Sequence, residues 1–340
     1  MSVCHDWRIR MTGKILFVGG TGVVGEQMVR HFRDRHPDIP LLIGGQNIDK
    51  AAALARDVGL AEAVQVDTAQ PRLGLGRDAD VGAVVMVVQD AGLQGLRYAL
   101  DLGHPYLSIG NWLVEVGGEM AHVIRRPSAS PVVLSSHWHA GPTVFLALAS
   151  MTGLDAVHSI HVSAIVDDLD PTGPAALEDM DLGGAGALAF REGRRVWLTG
   201  ADATRDITAI DGRTLSAAAF APYDIVSLQA ASGAADIRFD LASGISSSRL
   251  RGGTVGTEVI LDIAGERDGR KIMRRSTLEF TRGQASLTGL SATLSLSATL
   301  GLAGRPAFPA GLYFPEQLME PDGFLGALEQ AGATITIDQT

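Results

Sequence analysis

The chain opens with short apolar runs that alternate with segments carrying apolar residues at helical spacing. Ile15 to Val18 is apolar and leads into Gly19-Gly20-Thr21-Gly22-Val23-Val24-Gly25, after which Met28, Val29 and Phe32 recur at helical spacing. Ile39 to Ile43, Ala63 to Val66, Val81 to Val88, Tyr106 to Ile109 and Val132 to Ser135 predict further strands. Ala51 to Val58, Ala91 to Leu102 and about Thr143 to Ser150 predict helices between or after them. Val81 to Val88 is apolar throughout, as in a strand buried on both faces of a parallel sheet. Strands alternating with helices predict an α/β fold with a Rossmann-type doubly wound parallel sheet.

From about Met151 the regime changes. His158 to Val166 and Ala235 to Leu241 read as strands, and Asp167-Asp168-Leu169-Asp170-Pro171 as an acidic turn. Pro174 to Met180 predicts a short helix, and Gly183 to Gly186 a link. Glu258 to Ile263 and Lys271 to Phe280 flank Asp268-Gly269, with Val259, Leu261 and Ile263 alternating, which predicts a β-hairpin. Such strands imply a mixed or antiparallel sheet in a second α/β domain. Gly283 to Gly304 is uncharged over 22 residues, and half of it is Ser, Thr and Gly. That is too polar for a membrane span, so a long buried helix is expected, with Leu287, Leu290 and Leu294 on one stripe. The expected division is a first domain over 11–150, completed by about 284–340, and a second over 151–283.

The strand, glycine turn and helix at Lys14 to Phe32 have a chemical reading. Gly20, Gly22 and Gly25 fit G-x-G-x-x-G, and Gly19, Gly22 and Gly25 fit its seven-residue variant. Glycines let the backbone approach a pyrophosphate, and the helix then points free N–H groups at it. Gly19, Gly20, Thr21, Gly22, Val23, Val24 and Gly25 are therefore candidate dinucleotide contacts; a turn that binds nothing is the plain alternative. In NAD-binding units an acidic residue after the second strand takes the ribose 2′-hydroxyl. Here that region is Gly44-Gly45-Gln46-Asn47, with Lys50 nearby. This favours NADP(H) and leaves NAD(H) open, while Gln46 and Asn47 also suit a simple turn and Lys50 a solvated position. Asp67 and Thr68 fall where an adenine lies in such units, and Val88 and Gln89 at the ligand edge of the fourth strand.

His137 and His139 follow the sixth strand and are the candidate general acid or base, since imidazole titrates near neutral pH. Polar loop positions serve them equally. No acidic or third histidine ligand lies close in sequence, so no metal site is expected. Asp90 suits a helix cap or a substrate amine, and Asp167, Asp168 and Asp170 a solvated turn or a cationic substrate. Tyr106 and Trp112 suit the core or a pocket wall. His158 and His161 differ in strand parity and make no pair.

Composition narrows the partners. The 340 residues carry a formal net charge of −10 and are 46% hydrophobic, which argues for a sizeable core and against nucleic acid or an anionic membrane. Cys4 is the only cysteine, so a disulfide framework is excluded and a reducing, cytoplasmic setting is expected. The N-terminal residues mix charges and do not read as a signal peptide; the first ten suit a disordered extension. The position of Cys4 before the first strand argues against a cysteine-dependent reductase. A Tyr-x-x-x-Lys pair is absent: Leu102, Gly110, Ser227 and Gln317 stand four residues after the tyrosines.

Gly19 to Gly25, GGQNIDKAAALARDVG, AVVMVVQDAGLQGLRYALDLGHPYLSIG, the hairpin TEVILDIAGERDGRKIMRRSTLEF and FPAGLYFPEQL together resemble the saccharopine dehydrogenase-like oxidoreductases. The resemblance covers most of the chain, in pattern and order. It implies a Rossmann domain completed by a C-terminal helix and an inserted α/β domain with substrate and dimer contacts. It also implies NAD(P)-dependent chemistry at an amine, imine or carbonyl carbon of a small molecule. Gln46 stands where such proteins often have arginine, Asp90 where they have phenylalanine or proline, and Ser136-His137-Trp138-His139-Ala140-Gly141-Pro142 replaces a G-x-x-P-G-like turn. The expectation is a cytoplasmic, homodimeric NAD(P)-dependent oxidoreductase with His137 or His139 as proton relay. The alternative is a dinucleotide-binding regulator or degenerate enzyme without turnover.

Overall fold

The computed structural model of the chain describes residues 13–76, 78–109, 115–171, 173, 186–302, 304 and 306–338. Cys4 and the N-terminal extension, Trp112, the expected helix over 174–180 and the first three residues of the expected link, 183–185, lie outside them. Two compact units are present, residues 1–136 with 289–319, and residues 137–288 with 320–340.

In the first unit, strands β1 (Lys14–Val18), β2 (Leu41–Gly45), β3 (Ala61–Gln65), β4 (Val81–Met86), β5 (Tyr106–Ser108) and β6 (Pro131–Leu134) form one parallel sheet with Gly311–Tyr313. Its order is Gly311–Tyr313, β6, β5, β4, β1, β2, β3, so the winding direction reverses between β1 and β4. Ligands of such sheets bind beyond the carboxyl ends of the strands at that reversal. The doubly wound parallel sheet expected from the sequence is therefore present, with Gly311–Tyr313 as an added edge. Ile15, Leu16, Phe17 and the whole of β4 are buried, as the unbroken apolar run predicts.

Helices α1 (Val23–Arg35), α2 (Ile48–Val58), α3 (Gln94–Leu102) and α4 (Val116–Ile124) belong to this unit. Met28, Val29 and Phe32 form the buried stripe of α1, with Phe32 edge-on to Phe17 at 5.7 Å. The helix Gln284–Thr299 contributes its later part here. Leu287, Leu290 and Leu294 are buried as predicted, but so are Ser291, Thr293, Ser295, Ser297 and Thr299. The hydroxyls of Ser295, Ser297 and Thr299 donate to carbonyls one turn earlier. A helix without charges is thus buried with these hydroxyls satisfied inside its own ladder. Gly289 lets it meet α1 backbone to backbone, since a Cβ there would lie 2.7 Å from the Met28 nitrogen.

The second unit is built on a mixed sheet of β7 (Ala156–Asp167), β8 (Ala187–Arg191), β9 (Arg194–Leu198), β10 (Thr204–Thr208), β11 (Thr214–Ala219), β12 (Asp236–Gly244), β13 (Thr257–Arg267), β14 (Arg270–Phe280) and Thr334–Thr336. The main path runs β10, β11, β12, β7, β13, β14, Thr334–Thr336, and β7 with β12 is its parallel pair. The hairpin of β13 and β14 turns at Asp268 (φ 52°) and Gly269 (φ 71°), the two positive values a type I′ turn requires. His158 of β7 bonds Glu266 of β13 at 3.2 Å, while His161 stands in register with Arg238 and Asp262.

Helix α5 (Pro142–Met151) groups with this unit, although the sequence reading gave nearly all of its span to the first domain. The reason is packing. Phe145 stacks on Phe324 of the Pro321–Gln330 helix at 3.9 Å, and Ser150 bonds Ser276 of β14 at 2.7 Å. Thr334–Thr336 pairs with β14, so the tail 320–340 also groups here and not with the parallel sheet.

Candidate functional site

The turn between β1 and α1 is shaped by backbone contacts that exclude side chains. Gly19 has φ 82°, a conformation that strains any L-residue, and a Cβ on it would lie 2.4 Å from Val88 Cγ1. A Cβ on Gly25 would lie 2.1 Å from the Gly19 carbonyl oxygen. Gly19 N–H donates to the Gly44 carbonyl at 2.9 Å, which ties the turn to the end of β2. Gly22 is the N-cap of α1 and supplies no side-chain cap, so the first-turn N–H groups face outward. Gly19, Gly20, Thr21, Gly22, Val23, Val24 and Gly25 thus form a tight glycine cradle that opens α1, with no side-chain cap on its first-turn N–H groups. Val88 packs against Gly19, and Gln89 follows it, half-buried, at the carboxyl end of β4.

At the end of β2, Gln46, Asn47 and Lys50 are exposed. Asn47 caps α2, its Oδ1 accepting the Lys50 N–H at 3.1 Å, so one of its polar atoms is already engaged. Among the described residues the Lys50 ammonium has no salt-bridge partner. It borders a groove of about 460 Å³ along α1 and α2 with Thr21, Glu26, Arg30 and Asp57. Arg30 bonds Asp57 at 2.6 Å and Glu26 at 2.8 Å, and those bonds, Asp57 first, raise its pKa. Among the described residues the free cation at this groove is therefore Lys50. Asp67 folds its carboxylate back onto the Ala69 N–H at 2.9 Å, and Thr68 beside it is half-buried.

Asp90 is a cap. Its carboxylate accepts the N–H groups of Gln94 (2.7 Å), Gly95 (2.8 Å) and Leu96 (3.2 Å) at the start of α3. Tyr106 is core: its hydroxyl donates to Glu119 at 3.1 Å, and burial, with the Glu119 charge second, pushes its pKa well up.

His137 and His139 are both buried, within the second unit. His137 Nε2 lies 2.8 Å from Ser227 Oγ, on α6 (Asp224–Ser232). His139 has φ 51°, and both ring nitrogens meet threonine hydroxyls, Nδ1 at Thr288 (3.3 Å) and Nε2 at Thr257 (3.0 Å). Burial pushes its pKa down to about 3, so His139 is neutral at physiological pH.

The acidic turn is not simply solvated. Asp167 is buried, accepts from Ser246 N (2.9 Å), Ser246 Oγ (2.6 Å) and Leu169 N (3.0 Å), and pairs with Arg249. Burial alone would raise its pKa, but those bonds and the Arg249 charge hold it below the usual carboxylate range. Asp168 is exposed and pairs with Arg249. Asp170 accepts the Gln284 N–H at 2.7 Å, with burial raising its pKa. Asp167 and Asp170 therefore serve loop and helix ends. Among the described residues, no three His, Cys, Asp or Glu side chains cluster as a metal site would require. No described helix is long and apolar enough to cross a membrane.

The sequence reading missed the partners of the histidines: Ser227, Thr257 and Thr288 lie 90, 118 and 149 residues from them. Local pattern carries no signal at such separations.

No family model matches the chain, and no curated protein sequence matches it. Solved structures do. Apo saccharopine dehydrogenase (L-Glu forming) from Saccharomyces cerevisiae superposes with a TM-score of 0.69 at 12% identity, covering 95% of this chain and all of that one. Scyllo-inositol dehydrogenase from Lactobacillus casei, with NAD(H) and scyllo-inositol, gives 0.49 at 11% identity over 95% of this chain and 99% of its own. A myo-inositol dehydrogenase from Corynebacterium glutamicum gives 0.48 at 12% identity over 96% and 99%. With a parallel sheet, a glycine cradle and a mixed second sheet, the chain has a saccharopine dehydrogenase-like fold.

Proposed function

We propose that this protein is an NAD(P)-dependent oxidoreductase of the saccharopine dehydrogenase-like kind, acting on a C=N or C=O bond of a small molecule. The observation that carries the reading is the cradle at Gly19 to Gly25, at the point where the sheet's winding reverses. A Cβ on Gly19 or Gly25 would collide with Val88 or with the turn itself, so only glycine lets α1 start this close to β1. The bound nicotinamide supplies or takes the hydride. In this reading the first unit holds the dinucleotide, with Asp67, Thr68, Val88 and Gln89 beside the adenine and the strand ends. The second unit binds substrate and joins two copies in a cytoplasmic homodimer.

NADP(H) is the preferred cofactor in this proposal, because Lys50 is the cation at this groove without a salt-bridge partner among the described residues and no carboxylate directly follows β2. Gln46 and the Asn47 amide add donors. NADPH is expected to bind at least about tenfold tighter than NADH, the worth of one charge-assisted contact. Lys50→Ala should remove that margin and leave NADH binding unchanged. Fluorescence titration with each dinucleotide reads both. Equal affinities in the parent protein would sink the NADP preference while leaving the oxidoreductase reading standing.

Of the two histidines, His137 is the proposed proton relay at the substrate heteroatom. His139 is locked between two hydroxyls and held neutral, which suits a part in holding the loop. His137→Ala is expected to slow the chemical step by roughly a hundred- to ten-thousandfold, measured in single turnover with keto acids, keto acids plus ammonium, and amino acids. An unchanged chemical step would refute the assignment. The second reading, a dinucleotide-binding protein without turnover, draws on the hydrogen bonds that already engage both imidazoles. Tight NADPH binding with no reaction across that panel would favour it.

A further inference from the structure

One helix grips two successive residues of the loop after β6. Ser227 Oγ lies 2.8 Å from His137 Nε2. Tyr223 presents its ring edge to the same imidazole, with centroids 5.2 Å apart and planes at 85°. Asp224 Oδ2 accepts the main-chain N–H of Trp138 at 2.6 Å. Tyr223 and Ser227 are one turn apart and share a face of α6, so the grip comes from the helix register itself. Asp224 is fully buried, and Ser227 and His137 nearly so. The indole of Trp138 then packs edge-on against Phe220 (5.3 Å) and Phe239 (5.8 Å), which seats the loop in the core of the unit.

The direction of the Ser227 hydroxyl is informative. Serines in helices commonly bond the carbonyl one turn back, as Ser232 does to Leu228 at 2.6 Å. Ser227 instead meets a side chain 90 residues away in sequence. An imidazole ring can sit in two flipped orientations, and a hydroxyl 2.8 Å from Nε2, able to donate or accept, favours the one that keeps Nε2 beside it.

We propose that Ser227 is a positioning residue for His137: its hydroxyl holds the imidazole in one orientation, with Tyr223 setting the ring plane and Asp224 the loop. This rests on the reading of His137 as the proton relay.

The test uses the full-length protein with Ser227→Ala, Ser227→Thr, Ser227→Val and His137→Ala. Nitrogen NMR of the imidazoles, assigned by the signal lost in His137→Ala, reports the hydrogen bonding of the His137 ring without requiring turnover. Single-turnover and steady-state kinetics use whichever keto acid or amino acid of the panel reacts. Ser227→Ala is expected to shift the His137 nitrogen signals and to lower kcat by about ten- to a hundredfold, with KM changed less than about twofold. Ser227→Thr should restore both. If Ser227→Ala does not fold, threonine against valine at equal bulk isolates the hydroxyl. Unmoved His137 signals and parental kcat in the variant lacking the hydroxyl would overturn the positioning role while His137→Ala still reports on the relay. An undiminished chemical step in His137→Ala would overturn the relay, and the positioning role with it, even where the NMR signals of Ser227→Ala move.

Discussion

Gly25→Val is expected to abolish dinucleotide binding, with NADPH affinity falling by more than about a hundredfold, or roughly 3 kcal/mol. The Cβ alone would sit 2.1 Å from the Gly19 oxygen and 2.9 Å from the Gly20 Cα, both backbone atoms of the turn. No flexible side chain is there to yield, so α1 must lift away from β1. That displacement removes the outward N–H groups from the place where phosphates would meet them. It also strains the packing of Met28 and Phe32, at a cost of about 1–3 kcal/mol in stability for overpacking. Gly22→Ala is the informative control. Its Cβ would meet the Gly19 oxygen at 3.3 Å, a contact that shifts of a few tenths of an ångström relieve. Fluorescence titration and thermal melts of both variants decide the matter. Parental NADPH affinity in Gly25→Val would mean that the dinucleotide does not use this turn.

Phe324→Ala is expected to cost the second unit about 3–5 kcal/mol, the range for deleting a buried aromatic ring. Phe324 and Phe145 are both fully buried and stack nearly parallel, 13° apart at 3.9 Å. Leu325 and Leu328 of the same helix are buried too. Loss of the ring should therefore loosen the C-terminal segment before the sheet, with faster amide exchange over 321–336 than over β13. The melting midpoint should fall by about 10 °C, given roughly 2–4 °C per kcal/mol for a unit of this size. A loss below about 1 kcal/mol would show that the stack is not a keystone of the unit.

Much of the first unit was legible because its signals are local. An apolar run such as Val81 to Met86 needs no partner to be recognised, and the Gly19 to Gly25 spacing states the backbone geometry directly. Helix α4 was missed because Val116-Gly117-Gly118-Glu119 opens with two poor helix formers and a charge that is buried against hydroxyls distant in sequence, those of Tyr106 and Ser108 among them. In the second unit, the β13–β14 hairpin announced itself through Asp268-Gly269. The strands β8 to β11 did not: Arg194-Arg195-Val196-Trp197 and Thr204-Arg205-Asp206-Ile207 have largely exposed faces, so their apolar alternation is weak. The candidate site divides in the same way. The cradle is one stretch of sequence, whereas the surroundings of His137 and His139 are assembled from β13, α6 and the Gln284–Thr299 helix. Asp90, Asp167 and Asp170 look alike in sequence, and only their hydrogen-bond partners show them to be capping and loop-anchoring groups.

The discontinuity of the first unit has a consequence for biosynthesis. Strand β6 leaves the ribosome nearly 180 residues ahead of its edge partner Gly311–Tyr313, and α1 precedes the segment carrying Gly289 by still more. At roughly 5–20 residues per second, the parallel sheet waits on the order of ten seconds or more with an open edge and an uncovered helix. During that interval the nascent sheet offers the unpaired strand edge to which chaperones and neighbouring chains bind. The second unit lacks α5's partner Phe324 over the same period. Both units therefore reach their final cores only when residues 289–340 arrive, which makes the protein's yield sensitive to translation speed over that segment.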